Sequence, residues 1–147
     1  MTSRLPPVRN LGYVALGGAI GAVARVALAG WFPPAAGGFP RVTFLENVVG
    51  AFLLALVLTR LTERLAADPA IRLVVCTGAL GSFTTYGTMA VELQRLAAGE
   101  RLAVAGGYAL ATLVSGVLAG LLGLRIARGR ALPGVRGHGI GDRWRSP

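Results

Sequence analysis

Gly78-Ala79-Leu80-Gly81-Ser82-Phe83-Thr84-Thr85-Tyr86-Gly87-Thr88-Met89-Ala90-Val91-Glu92 is the stretch on which the reading of this chain turns. It lies inside a segment, about 71–94, whose apolar character otherwise predicts a membrane span. Gly81, Ser82, Thr84, Thr85 and Thr88 supply flexible backbone and hydroxyls where a lipid-facing helix carries Leu, Ile or Val. Backbone leaves the helix at membrane depth only where protein or a water-filled path satisfies its polar groups. The stretch therefore predicts a broken helix whose freed carbonyls and hydroxyls form an ion site.

The rest of the chain agrees with a membrane setting. Of 147 residues, 54% are hydrophobic and 14% charged, well below the roughly 25% charge of soluble domains, and the mean hydropathy is +0.63. Four apolar stretches, about 11–32, 43–60, 71–94 and 102–124, each approach the roughly 20 residues that a bilayer crossing needs. The first is too long for a signal peptide and no small-residue cleavage site closes it. The expected organisation is a short polar arm over 1–10, a four-helix membrane domain over 11–127, and a basic tail over 128–147. Pro33-Pro34 and Gly37-Gly38 mark a turn between the first two spans.

All fifteen basic residues are Arg. A net charge of +9 can indicate nucleic acid, but these residues sit mostly at span ends and no nucleic-acid motif accompanies them. With four spans, both termini and the 61–70 loop share a side. That side carries Arg4, Arg9, Arg60, Arg64, Arg72, Arg125, Arg128, Arg130, Arg136, Arg143 and Arg145, against Arg41, Arg95 and Arg101 on the other. The bias places both termini in the cytoplasm of a plasma-membrane protein.

Polar residues within the spans are the candidates for function. Arg25 lies in the first span, where it either snorkels to an interface or faces protein or water. Asn47 opens the second span; its amide can donate to an anion or bond a neighbouring helix. Tyr108, Thr112 and Ser115 are spaced i, i+4, i+7 on one face of the last span. With Thr85 and Thr88 they form a polar file, although each Ser or Thr alone can simply bond its own i−4 carbonyl. Glu92 falls near the end of the third span, and Glu46, beside Asn47, has a structural or interfacial role. Cys76 is the single cysteine and His138, the single histidine, lies in the tail. No Ser/His/Asp set, Cys/His cluster or phosphate loop is present, which argues against an enzyme.

At these residues the chain resembles the CrcB/Fluc family of fluoride channels. The run from Gly17 to Arg25 is similar to the family's glycine-rich opening that ends in Arg, and Thr43-Phe44-Leu45-Glu46-Asn47-Val48-Val49-Gly50-Ala51-Phe52 is similar to T-L-x-V-N-x-x-G-x-F. The quoted stretch, 78–92, is similar to G-x-x-G-G-F-T-T-F-S-T-F-x-x-E, the most specific of the three. The resemblance, over about 11–126, implies an all-α integral membrane protein: an antiparallel, dual-topology dimer of four-helix subunits with the third helix broken. It also implies two fluoride pathways and a structural, untransported Na⁺ held by the carbonyls of Gly81 and Thr84. By the same resemblance Asn47 lines the pathway, the two pore phenylalanines fall on Tyr86 and Met89, the hydroxyl track on Tyr108 and Thr112, and Arg25 stands near the pore mouth.

Three departures from that pattern matter: the two ring positions become Tyr86, still aromatic, and Met89, which has no ring; Gly87 replaces a Ser; and Glu46 replaces a Val. A subunit that inserts both ways also needs little Arg bias, yet this one is strongly biased. Both facts favour pairing with an oppositely oriented paralogue over pairing with itself. The main alternative is a non-conducting subunit that holds a sister chain; an unselective anion channel is another. A four-span proton antiporter is disfavoured, because it needs a buried acid in the first span, which offers only Arg25.

Overall fold

The computed structural model describes residues 7–32 and 38–129, and every described element is helical. The first helix, α1, is Val8–Trp31; α2 is Arg41–Thr59 and runs into a π-helical turn, Arg60–Arg64. The third segment, 69–98, comes in two pieces. Its first piece, α3, spans 69–83: it opens as Pro69–Arg72, widens to π-helix over Leu73–Leu80 and closes with the turn Gly81–Phe83. The second piece, α4, is Tyr86–Ala98, and α5 is Leu102–Gly129. Helix thus begins inside the stretch read as an arm and persists to Gly129. Residues 1–6 of that arm, the 33–37 part of the turn and the tail from 130, with His138, lie outside the described residues.

The ends of these helices follow from local chemistry. Asp68 caps α3, its carboxylate accepting from the Ala70 N–H at 2.7 Å, and Pro69 at the first helical position has no N–H to leave unpaired. The turn between α4 and α5 uses Gly99 and then Glu100, whose φ of 59° is left-handed.

Among the described residues, three helices are long and apolar enough to cross a membrane: Val8–Trp31, Arg41–Arg64 and Leu102–Gly129, with mean hydropathies of 1.7, 2.0 and 1.9. The third segment misses that length as one helix because it is divided. Large aliphatics such as Leu16, Ile20, Val23, Leu113 and Leu118 face outward, while Thr43, Glu46, Thr59 and Thr112 are buried. This inverted distribution is what a low-dielectric surrounding selects.

Two tight helix pairs build the domain: α1 lies on the π-helical part of α3, and α2 lies along α5. The first contact is made backbone to backbone. A Cβ on Gly78 would stand 2.7 Å from the Val14 oxygen and 2.8 Å from the Gly17 Cα, and one on Gly21 would overlap the Ala79 carbonyl. Small residues permit such an approach in a membrane, where dispersion rather than the hydrophobic effect holds helices together. At one end of the bundle the Arg128 guanidinium meets Glu63 at 2.6 and 3.1 Å, and Arg64 donates to the Arg128 carbonyl. Asn10, Leu58 and Arg72 share a cavity, so the start of α1 and the link between α2 and α3 lie together.

Candidate functional site

The helix breaks at Thr84 and Thr85, both extended, with φ/ψ of −74°/146° and −144°/122°. Asn47, nearly two turns into α2, holds the break open. Its Oδ1 accepts from the Thr85 N–H at 2.8 Å and its Nδ2 donates to the Thr85 carbonyl at 3.1 Å. An amide side chain thereby mimics a strand neighbour and satisfies both backbone groups of an extended residue at depth. Gly50, one turn further along α2, makes the space: a Cβ there would overlap the Thr84 methyl.

Thr85 also caps the next helix. Its Oγ1 accepts from the Thr88 N–H at 3.1 Å and donates to Thr88 Oγ1 at 3.1 Å. Arg25 joins from α1, donating through Nε to the Ser82 carbonyl at 3.3 Å and through a terminal nitrogen to Thr88 Oγ1 at 3.4 Å. Its guanidinium is therefore bonded to both sides of the break rather than extended to an interface.

The capping scheme leaves two carbonyls short of their helical donors. In a continuous helix Gly81 would accept from the Thr85 N–H, which Asn47 has taken. Thr84 would accept from the Thr88 N–H, which Thr85 Oγ1 has taken. Gly81 is exposed and receives only a long 3.5 Å contact from Thr84 Oγ1, whose better acceptor is the Leu80 carbonyl at 3.2 Å. Two hard oxygens with spare lone pairs, free of carboxylates, suit a hard monovalent cation.

A second network lies further along α4. Glu92 accepts from Thr43 Oγ1 on α2 and from the Tyr108 hydroxyl on α5, each at 2.7 Å. Tyr108 is fully buried and packs edge-on against Phe39, with centroids 5.3 Å apart. A cavity of about 410 Å³ joins the two networks and is lined by Arg25, Thr43, Glu46, Thr88, Glu92 and Arg95 among others.

The residues singled out from sequence are thus distributed unevenly. Arg25, Asn47, Thr85 and Thr88 form one hydrogen-bonded group, and Glu92 and Tyr108 belong to another. Thr112 bonds its own helix, donating to the Tyr108 carbonyl at 2.8 Å, and half-buried Ser115 lies one turn beyond. Met89 packs on the cluster of Leu96, Ala105 and Tyr108, whereas Tyr86 is 81% exposed on the outside of α4. Sequence reasoning passed over Thr43 and Arg95. The signal for Thr43 is its i, i+3, i+4 spacing with Glu46 and Asn47, which puts all three on one helical face.

Tyr108→Phe isolates one bond of the second network. Losing a hydroxyl donor to a carboxylate costs about 1.5–3 kcal/mol, a drop that thermal unfolding in detergent resolves. A smaller loss combined with Thr43→Val than the sum of the two single changes is the signature of a shared acceptor.

The helices and the bridged break define a class: multi-pass membrane proteins with a discontinuous helix at a candidate ion site. Residues 12–124 match the family model described as CrcB-like protein, Camphor Resistance (CrcB), and the chain belongs to that family. It is 44% identical over 118 residues to fluoride-specific ion channel FluC 3 of Streptomyces avermitilis, covering 80% of this chain and 58% of that one. It is 38% identical over 117 residues to FluC 1 of Moorella thermoacetica, covering 79% and 84%. It is 40% identical over 116 residues to FluC of Anaeromyxobacter sp. (strain K), covering 78% and 92%.

Proposed function

We propose that this chain is a four-span subunit of a fluoride channel through which the anion leaves the cytoplasm passively. The observation that carries the reading is the Asn47 clamp on extended Thr85, set beside two groups of hydroxyl and guanidinium donors around one cavity. Membership of the CrcB family and the names of its relatives support fluoride as the ion. Fluoride is small and strongly hydrated, so its path must replace water with close donors. Asn47 spends one N–H on Thr85 and keeps a second to offer. Arg25 contributes a fixed positive charge where an anion passes the break. Flow down a gradient needs no chemical step, so the chain is a transporter and not an enzyme.

The active form in this reading is an antiparallel pair of subunits, with both termini of this chain cytoplasmic. The Arg bias favours an oppositely oriented paralogue as the second subunit. The test is valinomycin-driven fluoride efflux from liposomes holding this chain alone. Robust efflux overturns the paralogue requirement; no efflux until an oppositely biased family member is added supports it. The conducting role is tested separately in the assembled complex. If Asn47→Asp leaves its flux unchanged, this chain is a non-conducting scaffold, a reading favoured by outward Tyr86 and ringless Met89.

The Gly81 and Thr84 carbonyls would hold a structural Na⁺. When bound, it supplies positive charge to oxygens that the break leaves without N–H donors. Exchanging Na⁺ for a bulky organic cation is expected to lower both the unfolding temperature and the efflux rate. Identical melting in the two salts removes Na⁺ from the proposal.

A further inference from the structure

Glu46 is buried at 4% exposure, and its Oε1 has no hydrogen-bond partner among the described residues. It lies on the wall shared by two cavities. One is the polar space of about 410 Å³ with Arg25, Thr88, Glu92 and Arg95; the other, of about 750 Å³, is mostly apolar and includes Arg41. The charged and titratable groups around it are therefore Arg25 from α1, Arg41 on its own helix, Glu92 and Arg95 from α4, and Tyr108 from α5.

Two of these neighbours, Glu92 and Arg25, already make their hydrogen bonds elsewhere. Glu92 receives a hydroxyl on each oxygen at 2.7 Å. Arg25 is bonded to the Ser82 carbonyl and Thr88 Oγ1. Glu46 is a second carboxyl on the same cavity, buried and with no donor to its Oε1 among the described residues. Ionised, Glu46 only accepts hydrogen bonds, as fluoride does, and the two repel. Protonated, it gains an O–H donor.

We propose that protonated Glu46 is a hydrogen-bond donor to fluoride in this cavity, so that the site fills and conducts as pH falls. The inference rests on the fluoride-channel reading and concerns a residue that departs from the family's pattern. Proton uptake converts carboxylate to carboxylic acid, and fluoride then accepts from that O–H; no covalent bond to the anion forms.

The experiment is fluoride efflux from liposomes carrying the assembled channel, from mildly alkaline to mildly acidic pH. Only the valinomycin-dependent component is counted, because neutral HF crosses lipid without carrying current. For the native chain, efflux should rise as pH falls, approaching about tenfold per unit where Glu46 is mostly ionised. Glu46→Gln, neutral at every pH and still a donor, should give a flat profile. A flat native profile, or a slope that survives in Glu46→Gln, overturns the proposal and leaves the channel reading intact. Absence of valinomycin-dependent efflux at any pH overturns the channel reading instead. In that case infrared difference spectroscopy decides: a protonated-carboxyl band that shifts on adding fluoride and is missing in Glu46→Gln supports Glu46 as the ligand. No such shift overturns it.

Discussion

Asn47→Ala is expected to reduce fluoride efflux from the assembled channel by about 10²-fold or more and to destabilise the fold. The substitution removes two hydrogen bonds at once, from the Thr85 N–H to Asn47 Oδ1 at 2.8 Å and from Asn47 Nδ2 to the Thr85 carbonyl at 3.1 Å. Each orphaned buried group costs about 1–3 kcal/mol. At about 1.4 kcal/mol per factor of ten, even the lower half of that range removes the extended conformation from most molecules. The relaxed chain recovers its bonds by returning to helix, and that removes the site, because Thr85 then donates to Gly81. Asn47→Asp is the more discriminating variant. It keeps an oxygen for the Thr85 N–H but loses the N–H for the carbonyl, and it adds a negative charge beside the proposed fluoride path. Liposome efflux, with unfolding in detergent alongside, separates the two losses. Native-level flux from a folded Asn47→Ala channel contradicts the role given to the clamp.

Gly78→Val is expected to prevent assembly of a stable bundle. Its first added atom would lie 2.7 Å from the Val14 oxygen, 2.8 Å from the Gly17 Cα and 2.9 Å from the Gly18 nitrogen. All three are backbone atoms of α1, so no side chain can rotate away. Overpacking of relaxable cores costs about 1–3 kcal/mol, and a backbone-to-backbone contact stands at or above the top of that range. Gly12→Ala provides the control, since a Cβ there meets nothing within 4 Å. Replacing a mid-helix Gly by Ala is favourable by about 0.5–1 kcal/mol, so this variant should match or exceed the native unfolding temperature. A folded Gly78→Val protein with native stability refutes the close approach of α1 and α3.

How much of this was legible from residues alone varies with the range of the interaction. The helices were, because a hydropathic run of about 20 residues has one low-energy conformation in lipid. The interruption was too, because Gly and Thr stood where aliphatics belonged. The exact place of the break was less so: Gly81 and Ser82 remain helical, and the extended pair is Thr84-Thr85. Propensity alone does not choose between those positions. Asn47, brought from 38 residues away, does.

The candidate site divides in the same manner. Thr112 took the local option, a bond to its own helix, and sequence spacing could not distinguish that from membership of a polar file. Tyr108 and Glu92 found each other across 16 residues, and Thr43 and Glu92 across 49. Glu46, set aside from sequence as structural or interfacial, is 4% exposed on the cavity between the two networks.

The order of residues is enough to establish a membrane-spanning helical chain, a break within the segment 78–92 and the family to which these motifs belong. Those are consequences of composition and local pattern, which act over one or two helical turns. Which carbonyls the break frees, which donor holds it open and which carboxylate is left without one follow from the packing of the helices. Those outcomes depend on groups from α1, α2, α4 and α5 competing for the same few N–H and O–H bonds. At membrane depth no water stands in for a lost partner, so that competition, and not local preference, settles the chemistry of the site.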